Sequence, residues 1–522
     1  MQEIKTLKDL LHNAAERFGD KTFLKYIKGG VVKEKSFKRL EEDAAAISSM
    51  VTYMSPSGPC HVSLIGMTTY EYIAVYFGIV GAQCAAVNLD AKLSIEDLCS
   101  LITRSDSKIV FLDNNYIKYA NAILNRCPMV HCIINMQSDE SGDNTRSLRM
   151  MMKNVSRLGG AAQLINADLK REPSAEDCAT IIYTSGTTGV SKGVMLSHAN
   201  LVDNVFCSED KLDENDVKLT VLPINHAIAL TADILNGLRF GYTICINDSV
   251  MRLEKNLKLF EPTTMIVVPM IAESLSRRVK AKNKRIGDMK KAAREVFGKN
   301  FNFIFTGGAP LTQELIDTYT EMGYEIRQGY GMTECSPKIS TGVPGDPYQD
   351  SCGRLSLGCE ARIVDGELQV KSPSVMMGYY KDEENTALAF TEDGWLKTGD
   401  LGSIAEADGH KFIYITGRLK NLIITDSGEN VSPEELEEKI SAEDVISEVV
   451  VYEKDNKIVA EIIQNPDVTG TDVTSEAESI IQGAIDRINE GLPLYKRIQT
   501  VKMREEDFEK TTSGKIKRAA LK

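Results

Sequence analysis

The chain is poor in the residues that several function classes require. In 522 residues it holds one tryptophan and six histidines, and its eleven cysteines include no Cys-x-x-Cys pair. The nearest pairs, Cys127 with Cys132 and Cys352 with Cys359, have no histidine cluster beside them. That argues against zinc and against a disulfide framework, and it fits a reducing, cytoplasmic setting. Basic charge is also short: 61 Lys and Arg against 74 Asp and Glu leave a net charge of −13, without the basic face that a nucleic-acid partner demands. A small polyphosphate needs only a few local cations, so it stays admissible. Long apolar runs are missing too. The first twenty residues have no signal-peptide apolar stretch, and Leu7, Leu10, Leu11 and Phe18 suit an amphipathic helix. Tyr72 to Leu89 is uncharged, but Gly78, Gly81, Gln83 and Asn88 interrupt it and its flanks, Glu71 and Asp90, are acidic. It reads as a buried helix running into a core strand at Cys84–Asn88, and no transmembrane segment is expected.

What is present is an alternation of short β-branched runs with helical patterns through the first four hundred residues. Val62–Ile65, Lys108–Leu112, Cys132–Ile134 and Phe301–Phe305 are examples. Such spacing predicts an α/β fold with layered, largely parallel sheets. From Ala361 the texture changes: Arg362–Val364, Asp365-Gly366 and Glu367–Val370 form a hairpin signature, so a small antiparallel β unit should close the large domain. After Gly417 a new module is expected. Ser432-Pro433-Glu434-Glu435 has the residues of a capping box, with Leu436 and Ile440 one turn apart. Val449–Tyr452 and Ile458–Ile463 flank a polar turn. The expected division is a large N-terminal domain, 1–417, and a small α+β domain, 418–522.

The most informative segment runs from Tyr183 to Gly193. It follows the strand-like Ala179–Ile182 and supplies three glycines, five hydroxyls (Thr184, Ser185, Thr187, Thr188, Ser191) and Lys192, with no carboxylate. Glycines such as Gly186 and Gly189 let backbone N–H groups turn inward, and hydroxyls and a lysine add donors and charge, which is the chemistry of a polyphosphate loop. It is not a Walker A loop, because Lys192 precedes Gly193 and no hydroxyl follows it. A flexible surface loop has a similar composition, but the buried strand before it and the lack of acidic residues favour the phosphate reading. Gln328-Gly329-Tyr330-Gly331-Met332-Thr333-Glu334 places an aromatic between two glycines, able to lie flat on a base, with Glu334 a hard oxygen ligand suited to Mg²⁺. Asp400, just after Gly399, can accept from two ribose hydroxyls, and Arg418 offers a planar fork of donors.

These segments, in this order, resemble the adenylate-forming enzymes: acyl-CoA synthetases, luciferases and the adenylation domains of peptide synthetases. The resemblance spans nearly the whole chain and is strongest to bacterial fatty-acyl-CoA synthetases. It implies that Thr184–Lys192 holds the ATP phosphates and that Gly308-Ala309-Pro310 lines the adenine. It further implies that Gln328–Met332 surrounds the base with Tyr330 covering it, that Thr333 reaches the α-phosphate and that Glu334 holds Mg²⁺. Asp400 matches the ribose-binding aspartate. Lys420 matches the residue about which the family's small domain pivots, and Lys515 the lysine which that mobile domain inserts during adenylation. Lys515, His226, Thr184 and Glu334 would then stand nearest the reacting groups.

His226 matches the residue that gates the acyl carboxylate, and Ala227 stands where amino-acid-activating relatives have an aspartate, so an unpaired ammonium would be disfavoured there. The apolar, small-sided stretch Ile228–Ala232, including Thr231, together with Gly307 and Gly331, is expected to line a pocket for an alkyl or aryl acid. Asp233 departs from that trend with no reason evident in the sequence. Gly428, in Thr425–Glu435, would let the pantetheine arm of coenzyme A approach; a carrier-protein phosphopantetheine presents the same arm, and the residues leave both acceptors open. The implied activity is an ATP-dependent acid–thiol ligase acting through an acyl-adenylate. The rivals are a carrier-loading or aryl-acid ligase and an acyl- and nucleotide-binding pseudoenzyme, the last opposed by the presence of Lys515, Glu334 and Asp400.

Overall fold

The computed structural model describes residues 3–157, 171–184, 191–207, 209, 211–343, 345–424, 429–470, 473–510 and 516–518. The fold is mixed α/β, with a large N-terminal region built on two sheets and a small α+β unit at the C-terminal end.

Among the described residues one sheet has eight strands. Its centre is parallel: Ala85–Leu89, His61–Ile65 and Ser107–Leu112 pair in turn, and Cys178–Thr184 runs parallel to Ala85–Leu89. These strands are buried on both faces, which is why their sequences are continuous apolar runs rather than alternating ones. The uncharged stretch becomes a buried helix, Tyr70–Gly81, followed by the strand Ala85–Leu89. Gly78 is required where that helix crosses Phe37–Met54, since a Cβ there would lie 2.4 Å from the Ile47 side chain. No helix among the described residues is long and apolar enough to cross a membrane.

The second sheet has thirteen strands among the described residues. Val217–Thr220, Thr264–Val267, Phe303–Gly307 and Glu325–Gly331 pair in parallel succession. The strand expected from Phe301 starts two residues later, with Phe301 packed in the core. The Asp365-Gly366 hairpin forms as expected, both residues at positive φ. It is not a separate β unit, however. Through Lys338–Thr341, Arg354–Leu355, His410–Arg418 and Leu396–Ala407 the antiparallel strands continue the parallel ones in a single sheet. The edge of Glu325–Gly331 is open to pairing, and Lys338–Thr341 takes it antiparallel.

In the C-terminal unit, Ile446–Lys454 and Lys457–Gln464 form a hairpin, Thr500–Met503 joins it in parallel, and the helices Pro433–Ser441 and Ser475–Glu490 accompany the sheet. Leu436 and Ile440 are buried as their spacing implies. The capping box does not form. Ser432 occupies the N-cap, but its hydroxyl donates to the Thr416 carbonyl (3.0 Å) rather than capping its own helix. That contact ties the helix start to the end of the strand His410–Arg418.

The N-terminal helix Leu7–Phe18 is closed by a Thr6–Asp9 capping box and accepted by His198, whose Nδ1 receives the Leu7 N–H at 3.1 Å. Burial pushes the His198 imidazole down to about 4. Between that value and the ordinary 6.5 the unfolded chain takes up a proton that the folded chain refuses, so stability present above the window is lost as pH falls through it. Wild type should therefore lose on the order of 2 kcal/mol more than His198→Gln between about pH 7 and about pH 5, read by thermal unfolding of both. Equal losses would remove His198 as the cause.

Candidate active site

The strands Cys178–Thr184 and Lys192–Ser197 pair antiparallel as far as the register pair Thr184 and Lys192. Ser185, Gly186, Thr187, Thr188 and Gly189 lie outside the described residues. The hairpin base is tethered from two sides. Arg104 donates to the Ser191 carbonyl (2.6 Å) and lies over the Tyr183 ring, while Lys192 Nζ donates to Asn385 Oδ1 (2.7 Å) and sits 4.9 Å from the centre of the Tyr379 ring. Tyr379 is held there because Gly378–Tyr379 pairs with Val194 and Met195. Its hydroxyl donates to Glu334 Oε1 at 2.9 Å, and burial, with Glu334 beside it, keeps that phenol protonated far above its usual range. Tyr379 thus stands between Lys192 and Glu334, the carboxylate expected to meet Mg²⁺. Glu334 is buried and its Oε2 makes no hydrogen bond among the described residues, which leaves one hard oxygen for a cation brought in by a polyphosphate. No three-residue metal cluster exists among the described residues, so a cation would depend on ligands from the phosphates as well.

From Glu334 the chain runs back through Thr333, Met332 and Gly331 to Tyr330. The Tyr330 hydroxyl donates to Asp400 Oδ2 (2.7 Å), and Arg418 Nε pairs with Asp400 Oδ1 (2.8 Å). Asp400 and Arg418 are register partners on adjacent strands, and Asp400 is only 3% exposed. Burial first, then the Asp400 charge, holds the Tyr330 phenol well above its usual range, so it remains a donor. Each carboxylate oxygen has two acceptor sites, so Asp400 keeps one per oxygen for a ligand with adjacent hydroxyls. Gln328 links the strand end to the neighbouring loop by accepting from the Leu311 N–H at 3.1 Å. That loop, Gly308-Ala309-Pro310, is exposed at the end of the strand Phe303–Gly307.

Gly331 passes against the chain at Pro337, where a Cβ would lie 2.0 Å from the Pro337 carbonyl oxygen and 2.8 Å from its carbon. Backbone cannot move aside as a side chain would. Gly331→Ala should therefore displace Tyr330 and Glu334 together, costing about 1–3 kcal/mol of stability and most ATP-dependent activity. An alanine variant with wild-type melting temperature and turnover would contradict this packing.

Beside Tyr330 opens a pocket of about 680 Å³ of atom-free space, counting its mouth. Gly307, Gly329 and Gly331 line one end, and Ile228, Ala232, Ile266 and Phe305 contribute apolar wall. Of the residues expected there, Gly307 and Gly331 line it. His226 is half-buried at the start of the adjoining helical segment, Ala227 is buried, and Thr231 donates to the Ser336 carbonyl (2.8 Å); none of the three is among the lining residues. Residues Ala229–Leu235 form a π-helix, an uncommon element often found at functional sites. Asp233, unexplained in the sequence, faces the buried Lys218 with 3.0 Å between Oδ1 and Nζ.

Lys420 lies in an exposed 3₁₀ turn, Leu419–Asn421, directly after Arg418. Gly428 and Lys515 lie outside the described residues. Lys510 and Ile516, which bracket the Lys515 segment, form an antiparallel bridge, and Ile516 packs on the C-terminal sheet. Nothing in the sequence marks Tyr379, Asn385, Arg104 or Lys218, because their roles arise from strand pairings between distant segments.

Comparison with known proteins places this geometry in a family. The model for the AMP-binding enzyme matches residues 11–380, and that for the AMP-binding enzyme C-terminal domain matches residues 420–522. A long-chain-fatty-acid–CoA ligase of Mus musculus is 27% identical over 82% of this chain and 72% of its own length. A 4-coumarate–CoA ligase of Humulus lupulus is 30% identical over 69% of this chain and 68% of its own. Among solved structures, an anthranilate CoA ligase in complex with anthranoyl-AMP superposes with a TM-score of 0.83 at 20% identity, covering 100% of this chain and 97% of that one. ATP-bound MatB from Rhodopseudomonas palustris gives 0.81 at 23%, covering 98% of each chain. At these identities the structural likeness speaks for the fold. The family match over most of the chain, with Lys192 and Tyr330 inside it and Asp400 between the two matched spans, leads to one statement: the chain belongs to the AMP-binding enzyme family.

Proposed function

We propose that the protein is an AMP-forming acid–CoA ligase acting on a medium-chain or fatty acid. One observation carries the reading: two sets of contacts, Lys192 to Tyr379 to Glu334 and Tyr330 to Asp400 to Arg418, are linked by the short chain segment Tyr330–Glu334 beside an apolar pocket. ATP would lie with adenine against Tyr330 and the Gly308–Pro310 loop, ribose hydroxyls on Asp400, and phosphates along Thr184–Lys192. Glu334 would hold Mg²⁺, which offsets charge on the phosphates.

The acid would enter the pocket past His226 with its carboxylate toward the α-phosphorus. Carboxylate oxygen attacks, the bond to the bridging oxygen breaks, and pyrophosphate leaves. Lys515, carried by the C-terminal domain, would offset the charge that builds on the equatorial and leaving oxygens. Turning of residues 418–522 about Lys420 would then withdraw Lys515 and bring Gly428 to the thiol arm, whose sulfur displaces AMP from the acyl carbon. Hinge rotation at an element end is an ordinary way to alternate two active arrangements. Eleven cysteines without a disulfide support a cytoplasmic setting.

The test is a pyrophosphate-release screen over straight-chain acids of increasing length and aryl acids, with free CoA or a phosphopantetheinylated carrier as acceptor. AMP and pyrophosphate should form only with an accepted acid, and thioester should appear on CoA. ADP and phosphate as products, or no acid-dependent release, would overturn the reading; thioester only on the carrier would replace the acceptor.

A further inference from the structure

The far end of the acyl pocket is polar. Its floor is one face of the large sheet: the registers Lys218 to Thr264 to Phe303, Ile266 to Phe305 and Gly307 to Gly329 put Lys218, Ile266, Phe305, Gly307 and Gly329 on the same side. Its roof is the helical segment, which presents Ile228, Ala232 and Asn236 four residues apart. Ile228 stands over the Gly307 end, 4.0 Å from where a Gly307 Cβ would be. Asn236 is eight positions further along the same helical segment. There the apolar wall ends on Lys218 and Asn236, which are 1% and 2% exposed.

Lys218 is a built feature. Its ammonium donates to the Ala232 carbonyl (2.7 Å), faces Asp233 Oδ1 (3.0 Å), and lies 5.5 Å from the Tyr242 ring centre. The Tyr242 hydroxyl donates in turn to the Asp233 carbonyl (2.8 Å). An ammonium has three donors; one goes to the Ala232 carbonyl and Asp233 Oδ1 is an ion-pair neighbour without a hydrogen bond, so donor capacity remains. Asn236 Oδ1 is buried with no hydrogen-bond partner. Lys218 and Asn236, with its unmet amide oxygen, thus line the same pocket.

From this we infer that the acid activated here carries a hydroxyl at its far end, accepting from Lys218 and donating to Asn236 Oδ1. The inference rests on the acid-activating reading of the pocket and names its substrate class. A plain alkyl chain would set its methyl group against the unpaired Asn236 oxygen, and a buried polar group without a partner is costly. A second carboxylate would be buried beside Asp233, whose own carboxyl burial already pushes upward, so two acids would compete for the one Lys218 ammonium. A hydroxyl leaves the charge balance unchanged and meets both needs.

The experiment is acid-dependent pyrophosphate release by the full-length enzyme with three matched series of graded length: unsubstituted, ω-hydroxy and ω-carboxy acids. At the best length, kcat/KM for the ω-hydroxy acid should exceed that of the unsubstituted isostere by at least about 10²-fold, toward the roughly 10⁴-fold of a site built to hydrogen-bond a hydroxyl. Asn236→Leu should bring that ratio close to one. Lys218→Met together with Asp233→Leu, which leaves no lone buried charge, should reverse it. Both readouts are ratios within one protein, so partial misfolding cancels, and the wild-type ratio decides the substrate class even where a variant does not fold. Preference of the wild type for unsubstituted or ω-carboxy acids, or a ratio unmoved in folded variants, overturns the inference while acid activation stands. Release with no acid of any series would overturn the acid-activating reading beneath it.

Discussion

Lys515→Ala should slow acyl-adenylate formation by about 10²–10³-fold, the scale of removing one charge-stabilising donor from an active site. Thioester formation from supplied acyl-adenylate should fall far less. The asymmetry follows from position. Lys510 and Ile516, on either side of the Lys515 segment, belong to the C-terminal unit through their bridge and the packing of Ile516 with Val450, Tyr452, Val459 and Phe508. Tyr330, Asp400 and Glu334 belong to the large region, and only the 3₁₀ turn Leu419–Asn421 follows Arg418 before the small unit begins. A lysine delivered by a separate body can serve one half-reaction and be absent from the other. Single-turnover measurement of each half-reaction checks this, and equal losses in both would refute the division of labour.

Asp400→Ala should lower kcat/KM for ATP by about 10²–10⁴-fold, because two hydrogen bonds to a charged group at about 1.5–3 kcal/mol each disappear from the nucleotide complex. The same change leaves the Tyr330 hydroxyl and Arg418 without their shared acceptor. Both adenylation and thioester formation from supplied acyl-adenylate should fall, in contrast to Lys515→Ala, since the ribose anchor is needed whenever nucleotide is bound. Nucleotide affinity by calorimetry separates this from a folding defect: the variant should still unfold cooperatively, at a lowered temperature, while ATP binding of the folded protein weakens. Undiminished ATP affinity would remove Asp400 from the ribose site.

The layered α/β architecture was legible in the sequence because strands buried on both faces must be continuous apolar runs, as Ala179–Ile182 and Lys108–Leu112 are. The Asp365-Gly366 hairpin was legible for a local reason, since only a few residue types accept positive φ at both turn positions. The merging of the antiparallel strands into the parallel sheet was not, because strand order depends on which edge is vacant and not on either strand's composition. Ser432 shows the same limit on a smaller scale: its helix-start pattern is right, yet tertiary contact diverts its hydroxyl to Thr416. At the site, Tyr330, Glu334 and Asp400 carry local signatures of glycine spacing and charge. Tyr379 and Asn385 meet Lys192 only through strand pairing and a helix nearly two hundred residues downstream. Asp233 looked anomalous in an apolar stretch until Lys218, on a separate strand, gave it a partner.

The central claim is that widely separated stretches of this chain surround one ATP. A crystal structure with a non-hydrolysable ATP analogue and Mg²⁺ tests it most directly. The account predicts adenine against Tyr330, both ribose hydroxyls on Asp400, and the triphosphate along Thr184–Lys192 with the metal on Glu334. Nucleotide bound elsewhere, or bound with Asp400 and the hairpin both out of reach, would contradict it.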